Sequence, residues 1–300
     1  MALTKQALLG CVLAGGLILG ACQANLGISS DESVAGPQGP EEASSRRQRW
    51  LIPLPEQRLL MVATVWRPQT SGPYPLAVIS HASAENPDRR TDDPTPNYEV
   101  LARWLTQHGF AVVLPLRPGH AGTGGPYLED QGGCDNADYF KSGLATAATI
   151  EAAVDYMSAQ TFIKSGRAIV VGQSAGGWGG IALASRNPSG VRAVINFAGG
   201  RGGRSNLEPN NNCAPDRLIA AAGAFGRTAR TPSLWIYTEN DSFFGPAISK
   251  QMADAFRRAG GSAEYHLLPA FGEEGHVLVT SQTAVVSWRP IVEKFLNTAR

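Results

Sequence analysis

Cysteine is scarce in this 300-residue chain: there are four, none in a C-x-x-C pair, and no H-E-x-x-H stands anywhere, so no metal site is expected. Charge is thin as well. Twenty-six Lys and Arg face twenty-five Asp and Glu, for a net charge of +1, which leaves no electrostatic footprint for nucleic acid or an acidic partner. The one small basic cluster, Arg46, Arg47 and Arg49, reads as the flank of a linker. Long hydrophobic runs are missing too. The apolar stretch ALLGCVLAGGLILG after Lys5 is too short and too glycine-rich for a membrane span, and reads instead as the h-region of a signal peptide. What remains is an ordinary globular composition, 43% hydrophobic, enough for one large domain with a sizeable core.

The signal run ends in LGAC, Leu19 to Cys22, which resembles a bacterial lipobox, where cleavage leaves a cysteine that carries lipid. The resemblance implies a signal peptide over residues 1–21 and a bacterial cell-envelope protein held to a membrane through Cys22. Plain secretion into the periplasm or medium is the alternative. Residues 22–48 are poor in large apolar side chains and rich in Ser, Gly, Pro and Glu, the composition of a disordered tether, so the fold is expected over 49–300. Cys134 and Cys213 lie in polar Gly/Asn loops of a chain expected to mature in an oxidising space, and a disulfide between them is expected.

From Trp50 onward, short apolar runs such as LLMVATVW, LAVIS, AIVVG and SLWIYTE alternate with amphipathic segments such as NYEVLARWLTQHG and FKSGLATAATIEAAVDYMSAQ. Each parallel strand pair needs a long crossover, and a helix supplies it. The alternation therefore predicts an α/β fold with a mostly parallel central sheet and helices on both faces. Ligands of such sheets bind at the carboxyl ends of the strands.

At one of those ends stands GQSAG, Gly172 to Gly176, between a buried-looking strand and a helix. This is the context in which G-x-S-x-G makes a nucleophile elbow: Ser174 on a strained turn, glycines where a β-carbon would collide, and the Ala175 N–H at a helix start able to bind an oxyanion. A serine nucleophile needs a base, and the base an orienting acid, in the chain order Ser, acid, His. Asp241, just past a strand end, and His276, in the Gly-rich loop after the next strand, fall in that order. Glu239 is the nearest rival acid. Glu273 and Glu274 read as solvated loop charges, and His108, His120 and His266 as structural residues. The second oxyanion amide is expected in ISHASAENP, from Ser83 first and Ala82 second. Trp178, Phe243, Phe244 and Tyr127 are candidates to line a substrate pocket, and His81 either orders its loop or touches substrate.

Together, ISHAS, RPGHAGTGG, VVGQSAGGWGG, YTENDSFFGP and FGEEGH resemble the α/β-hydrolase fold, and within it the dienelactone-hydrolase-like carboxylesterases, over about Trp50 to the C terminus. Serine stands where dienelactone hydrolases proper carry cysteine, and HAS replaces the commoner His-Gly pair. The resemblance implies hydrolysis of a small-molecule carboxylic ester with no cofactor. A prolyl-oligopeptidase-like peptidase would share the same three residues, and a surface lipoprotein could keep the fold only for binding. A dinucleotide oxidoreductase is excluded, because GQSAGG is not G-x-G-x-x-G and the following strand ends without an acidic residue.

Overall fold

The computed structural model describes residues 34–84, 86–92 and 97–299. The expected signal peptide, residues 1–21, and Cys22 lie outside the described residues. Among the described residues nine strands form one sheet in the order β1-β2-β3-β5-β4-β6-β7-β8-β9. The first three are β1 (Gly36–Gln38), β2 (Arg47–Leu54) and β3 (Leu59–Trp66), and these pair antiparallel, as does β3 with β5 (Ala111–Pro115). From β5 the sheet is parallel through β4 (Leu76–Ser80), β6 (Ala168–Gln173), β7 (Val191–Phe197), β8 (Ser233–Thr238) and β9 (Ala263–Leu268).

Strands β4, β5, β6 and β8 are buried at every residue, which is why they read as unbroken apolar runs rather than alternating ones. Side chains still alternate by face. Val78, Val113, Val170 and Val194 join the core beneath α3 (Tyr139–Ser158), α4 (Ala175–Arg186), α5 (Pro215–Gly226) and α6 (Pro246–Arg258). Ala77, Ile79, Val112, Ile169 and Ile195 meet α2 (Glu99–Gln107) and α7 (Val285–Thr298) on the other side. Pro290 lies inside α7. A short helix, α1 (Pro87–Asp92), follows β4 and had no readable periodicity.

Residues 34–48, expected from their composition to be part of a disordered tether, belong to the fold. Strand β1 pairs with β2 in the register Gly36↔Leu51, so ordered chain precedes Trp50 by more than a dozen residues. Main-chain pairing and ions hold this segment instead of apolar burial. Arg46, placed in a linker by the sequence, is half-buried, with Nε 2.9 Å from Glu41 Oε1 and Nη1 donating to the Pro68 carbonyl at 2.7 Å. Arg67 pairs with the same Glu41.

Cys134 and Cys213 are joined by a disulfide, as expected, with Cα atoms 5.0 Å apart. The bridge ties the loop before α3 to the loop after β7, and both loops border the carboxyl ends of the strands.

Candidate active site

Ser174 stands between β6 and α4 with φ 53° and ψ −121°, a conformation that costs a non-glycine residue about 1–3 kcal/mol and persists only where the surroundings enforce it. Its neighbours explain the enforcement. A β-carbon on Gly172 would lie 2.3 Å from the Gly176 carbonyl oxygen, and one on Gly176 would lie 2.0 Å from the Ser80 carbonyl oxygen, so the strand, turn and helix meet only with glycine at both places. The Ser174 N–H donates to the Phe197 carbonyl at 3.0 Å, anchoring the turn to β7.

Asp241 follows β8 and His276 lies in the 3-10 turn Gly275–Thr280 after β9. The sheet register brings them together: His276 Nδ1 is 3.1 Å from both carboxylate oxygens of Asp241. Asp241 Oδ1 also accepts the Phe243 and Phe244 N–H groups at 2.9 Å each. A carboxylate acceptor at Nδ1 puts the ring proton there and leaves Nε2 as the accepting nitrogen. Glu239, the rival acid, is exposed, whereas Asp241 is buried. Glu274 is not the solvated loop charge the sequence suggested: its Oε1 accepts from Ser242 N–H at 3.1 Å and His276 N–H at 3.0 Å, clamping the acid loop to the histidine loop.

Ser174 and His276 both line a cavity of about 950 Å3, together with Ser83, Ala175 and Phe243. Among the described residues no hydrogen bond joins the Ser174 hydroxyl to His276. Such links tighten when substrate binds. Phe243 stacks on the His276 ring, centroids 4.2 Å apart, and buries one face of the imidazole. Phe244 and Tyr127 also line the cavity.

Three sequence expectations are corrected. Trp178 is fully buried, its Nε1 donating to the Tyr139 carbonyl at 2.8 Å and its ring against Phe225; it is a core residue between α3 and α4, away from the cavity. His81 is fully buried and touches no ligand space: Nδ1 is 2.6 Å from the Ala82 carbonyl, and Nε2 accepts the Arg117 N–H at 3.1 Å. It orders the loop, the other role considered for it. The Ala82 N–H is spent on Tyr98 Oη at 2.8 Å, so Ala82 is no oxyanion donor. The Ser83 amide has no partner among the described residues, and the Ala175 amide lies in the first turn of α4, where helical geometry supplies none.

The Ser83 side chain is held by His120, which the sequence left as a bland loop residue. His120 Nδ1 faces the carbonyls of Arg117 and Pro118 at 3.2 Å, so Nε2 accepts from Ser83 Oγ at 2.8 Å. Burial, reinforced by Arg117, drives the His120 pKa down to about 3 and holds His81 well below its ordinary range. Unfolded histidine titrates near 6.5. Between those values the unfolded chain takes up protons that the folded chain refuses, so stability that is complete above pH 6.5 is lost as pH falls. We expect a fall of about 1.4 kcal/mol per pH unit for each of the two histidines below pH 6, read from urea midpoints at a series of pH values. His120→Asn removes one proton from that slope. An unchanged slope in the variant contradicts the buried neutral histidine.

Sequence reading missed the cationic wall. Arg117 and Arg201, both buried, share the single buried carboxylate of Glu129. Arg201 lines the cavity, its Nη1 donates to Tyr127 Oη at 2.7 Å, and its Nε is buried without a partner among the described residues. Arg90 lies over the Tyr127 ring at 3.7 Å, and Arg204 also borders the cavity. Burial pushes the Tyr127 phenol up, but Arg201, Ser83 and Arg90 together bring it below its usual value. In the sequence these arginines are scattered over separate segments, and only folding brings Arg90, Arg201 and Arg204 to the cavity, with Arg117 joined to Arg201 through Glu129. Among the described residues no group of three or more His, Cys, Asp or Glu side chains is placed to hold a metal ion.

This sheet order, with a strained serine after β6 and an acid and histidine after β8 and β9, is the α/β-hydrolase fold. Solved structures with the same fold include a protein assigned as a dienelactone hydrolase from Klebsiella pneumoniae, with TM-score 0.52 at 18% identity over 83% of this chain and 98% of that one. An esterase from Pyrococcus furiosus has TM-score 0.61 at 14% identity over 88% of this chain and 96% of the other. The acylaminoacyl peptidase of Pyrococcus horikoshii has TM-score 0.61 at 13% identity, covering 87% of this chain and 42% of that longer one. No protein-family model and no curated protein matches the chain by sequence.

Proposed function

We propose that this chain is a serine hydrolase of carboxylic esters. The observation that carries the reading is the strained Ser174 on the wall of the cavity into which the Asp241-oriented His276 also opens. In the proposed mechanism Ser174 Oγ attacks the ester carbonyl carbon while His276 Nε2 takes its proton. The amides of Ala175 and Ser83 receive the oxyanion. On collapse the C–O bond to the alcohol breaks, His276 returns the proton to the departing alkoxide, and the acyl group stays on Ser174. Water, deprotonated by His276, then attacks the acyl-enzyme and releases the acid. Asp241 keeps Nδ1–H oriented and stabilises the imidazolium.

The cationic wall supports a small-molecule ester carrying a carboxylate, since two buried guanidiniums share one carboxylate beside the cavity and an anionic substrate group would offset the second charge. On a matched pair of nitrophenyl esters, a neutral butyrate and a hemisuccinate, kcat/KM is expected to favour the hemisuccinate at least tenfold, and the preference should shrink in high salt. Equal rates remove the anionic preference and leave the esterase reading standing. The acylaminoacyl peptidase that shares the fold supports a second reading, amide hydrolysis, which an aminoacyl anilide assayed alongside distinguishes. A fold retained for binding alone predicts no turnover of any of them. The Leu19–Cys22 run supports the further proposal that the domain is held at a bacterial cell envelope through lipid on Cys22, which the intact mass of the mature amino terminus tests.

A further inference from the structure

One directed chain of hydrogen bonds crosses the three loops that carry the candidate chemistry. Ala82 N–H donates to Tyr98 Oη at 2.8 Å. Tyr98 has one proton, and it goes to Gln173 Oε1 at 2.8 Å. That contact fixes the orientation of the Gln173 amide, whose Nε2 donates to the His276 carbonyl at 2.7 Å. Tyr98 and Gln173 are both buried, so each link sits in a low-dielectric setting where an unmade bond is costly. Burial pushes the Tyr98 phenol up to about 12, so it keeps its proton throughout the working range.

The ends of this chain are informative. Ala82 immediately precedes the Ser83 amide, Gln173 immediately precedes Ser174, and His276 is the candidate base. The Ser83 amide lies between two pins: the Ala82 N–H held by Tyr98, and the Ser83 hydroxyl held by His120. The partners are 16, 75 and 103 residues apart in sequence, and through Tyr98 at the start of α2 the bonds link the Ala82–Ser83 loop, the Ser174 turn and the His276 loop.

We propose that Tyr98 and Gln173 are positioning residues that hold the Ser83 amide, Ser174 and His276 in one register. The proposal rests on the hydrolase reading above. Neither side chain needs to touch substrate. Misplacement of about 1 Å in such groups costs on the order of a hundredfold in rate, without a corresponding loss of substrate binding.

Tyr98→Phe, Gln173→Met and their double variant, each checked for fold by circular dichroism and Tm, test this on a nitrophenyl ester. The expected result is a 10- to 100-fold fall in kcat for each single variant with KM within about twofold. The rate of labelling by a fluorophosphonate should fall in parallel. The double variant should be no more than threefold worse than the poorer single one, because either substitution cuts the same chain. Gln173→Glu supplies a readout that a packing role would not move. Protonated, the introduced carboxyl can accept from Tyr98 and donate to the His276 carbonyl; ionised, it has lost the donor. Its kcat relative to wild type should therefore approach unity at low pH and fall about tenfold or more as the carboxyl ionises. This variant also keeps the test open if Gln173→Met fails to fold.

Folded variants with wild-type kcat, losses confined to KM, losses that multiply in the double variant, or a pH-independent Gln173→Glu ratio each overturn the proposal. Wild-type protein that labels while the variants label at its rate overturns this proposal alone. Wild-type protein that neither labels nor hydrolyses any ester overturns the hydrolase reading, and the proposal with it.

Discussion

Ser174→Ala is expected to lower kcat for ester hydrolysis by on the order of 10^5 to 10^6 while the protein stays folded, and His276→Ala by a similar factor. The double variant should be scarcely worse than either single one, since nucleophile and base act as a unit. Asp241→Asn should cost on the order of 10^4, because an asparagine can offer its NH2 to Nδ1 and favour the wrong tautomer. The exposed Glu239 does not reach in to replace it. Stability supplies an independent check on the same residue. The backbone at Ser174 has φ 53°, which alanine does not relieve and glycine does. Ser174→Gly should therefore be inactive with a Tm equal to or above that of wild type, and Ser174→Ala inactive at nearly wild-type Tm. Steady-state kinetics on a nitrophenyl ester with calorimetry on the same preparations decides both, and an alanine variant retaining a tenth of the activity removes Ser174 as nucleophile.

Reducing the Cys134–Cys213 bridge is the second large effect. The two cysteines are 79 residues apart in sequence, a loop whose closure contributes about 4.5 kcal/mol in the chain-entropy model. For a domain of this size that corresponds to a Tm loss of roughly 10 °C. The functional consequence follows from what the bridge holds. The Cys213 N–H donates to the Gly202 carbonyl at 2.7 Å, next to Arg201, so the bridged loop carries Arg201 and Arg204 of the cationic wall. Reduction should raise KM for a carboxylate-bearing ester and narrow its advantage over a neutral one before kcat falls, because Ser174, Asp241 and His276 stand on other loops. Calorimetry and kinetics with and without reductant, repeated on Cys134→Ser/Cys213→Ser, measure this. An unchanged Tm in the double variant contradicts the stabilising role.

Most of the sheet was legible because strands β4, β6 and β8 are covered on both faces and announce themselves as apolar runs between helices. The elbow was legible for a steric reason confined to five residues: Gly172 and Gly176 flank Ser174 at the two places where a β-carbon would strike main chain. Strands β1 and β2 were not, since β1 is short and polar and is held by pairing and by the Arg46–Glu41 contact rather than by burial. The antiparallel end of the sheet was missed with them. Glu274 and Arg201 were misread or passed over because a charged side chain in a loop looks solvated until its partners are known.

By itself, the sequence determined the order of elements, the strained turn at Ser174, and the Ser–Asp–His order that places three side chains at one end of the sheet, because each follows from local periodicity, local sterics or chain order. Tertiary structure alone decided which groups are spent and which are left to act. Ala82 and Ser83 are neighbours with identical main-chain chemistry, yet Tyr98 takes the Ala82 N–H and leaves the Ser83 amide on the cavity wall. Trp178 lies four residues from Ser174 but turns into the core, and Arg201 is brought to the cavity by a loop with no readable motif. A hydrogen-bond donor's availability depends on its partners, and at this site those partners come from segments up to 103 residues away.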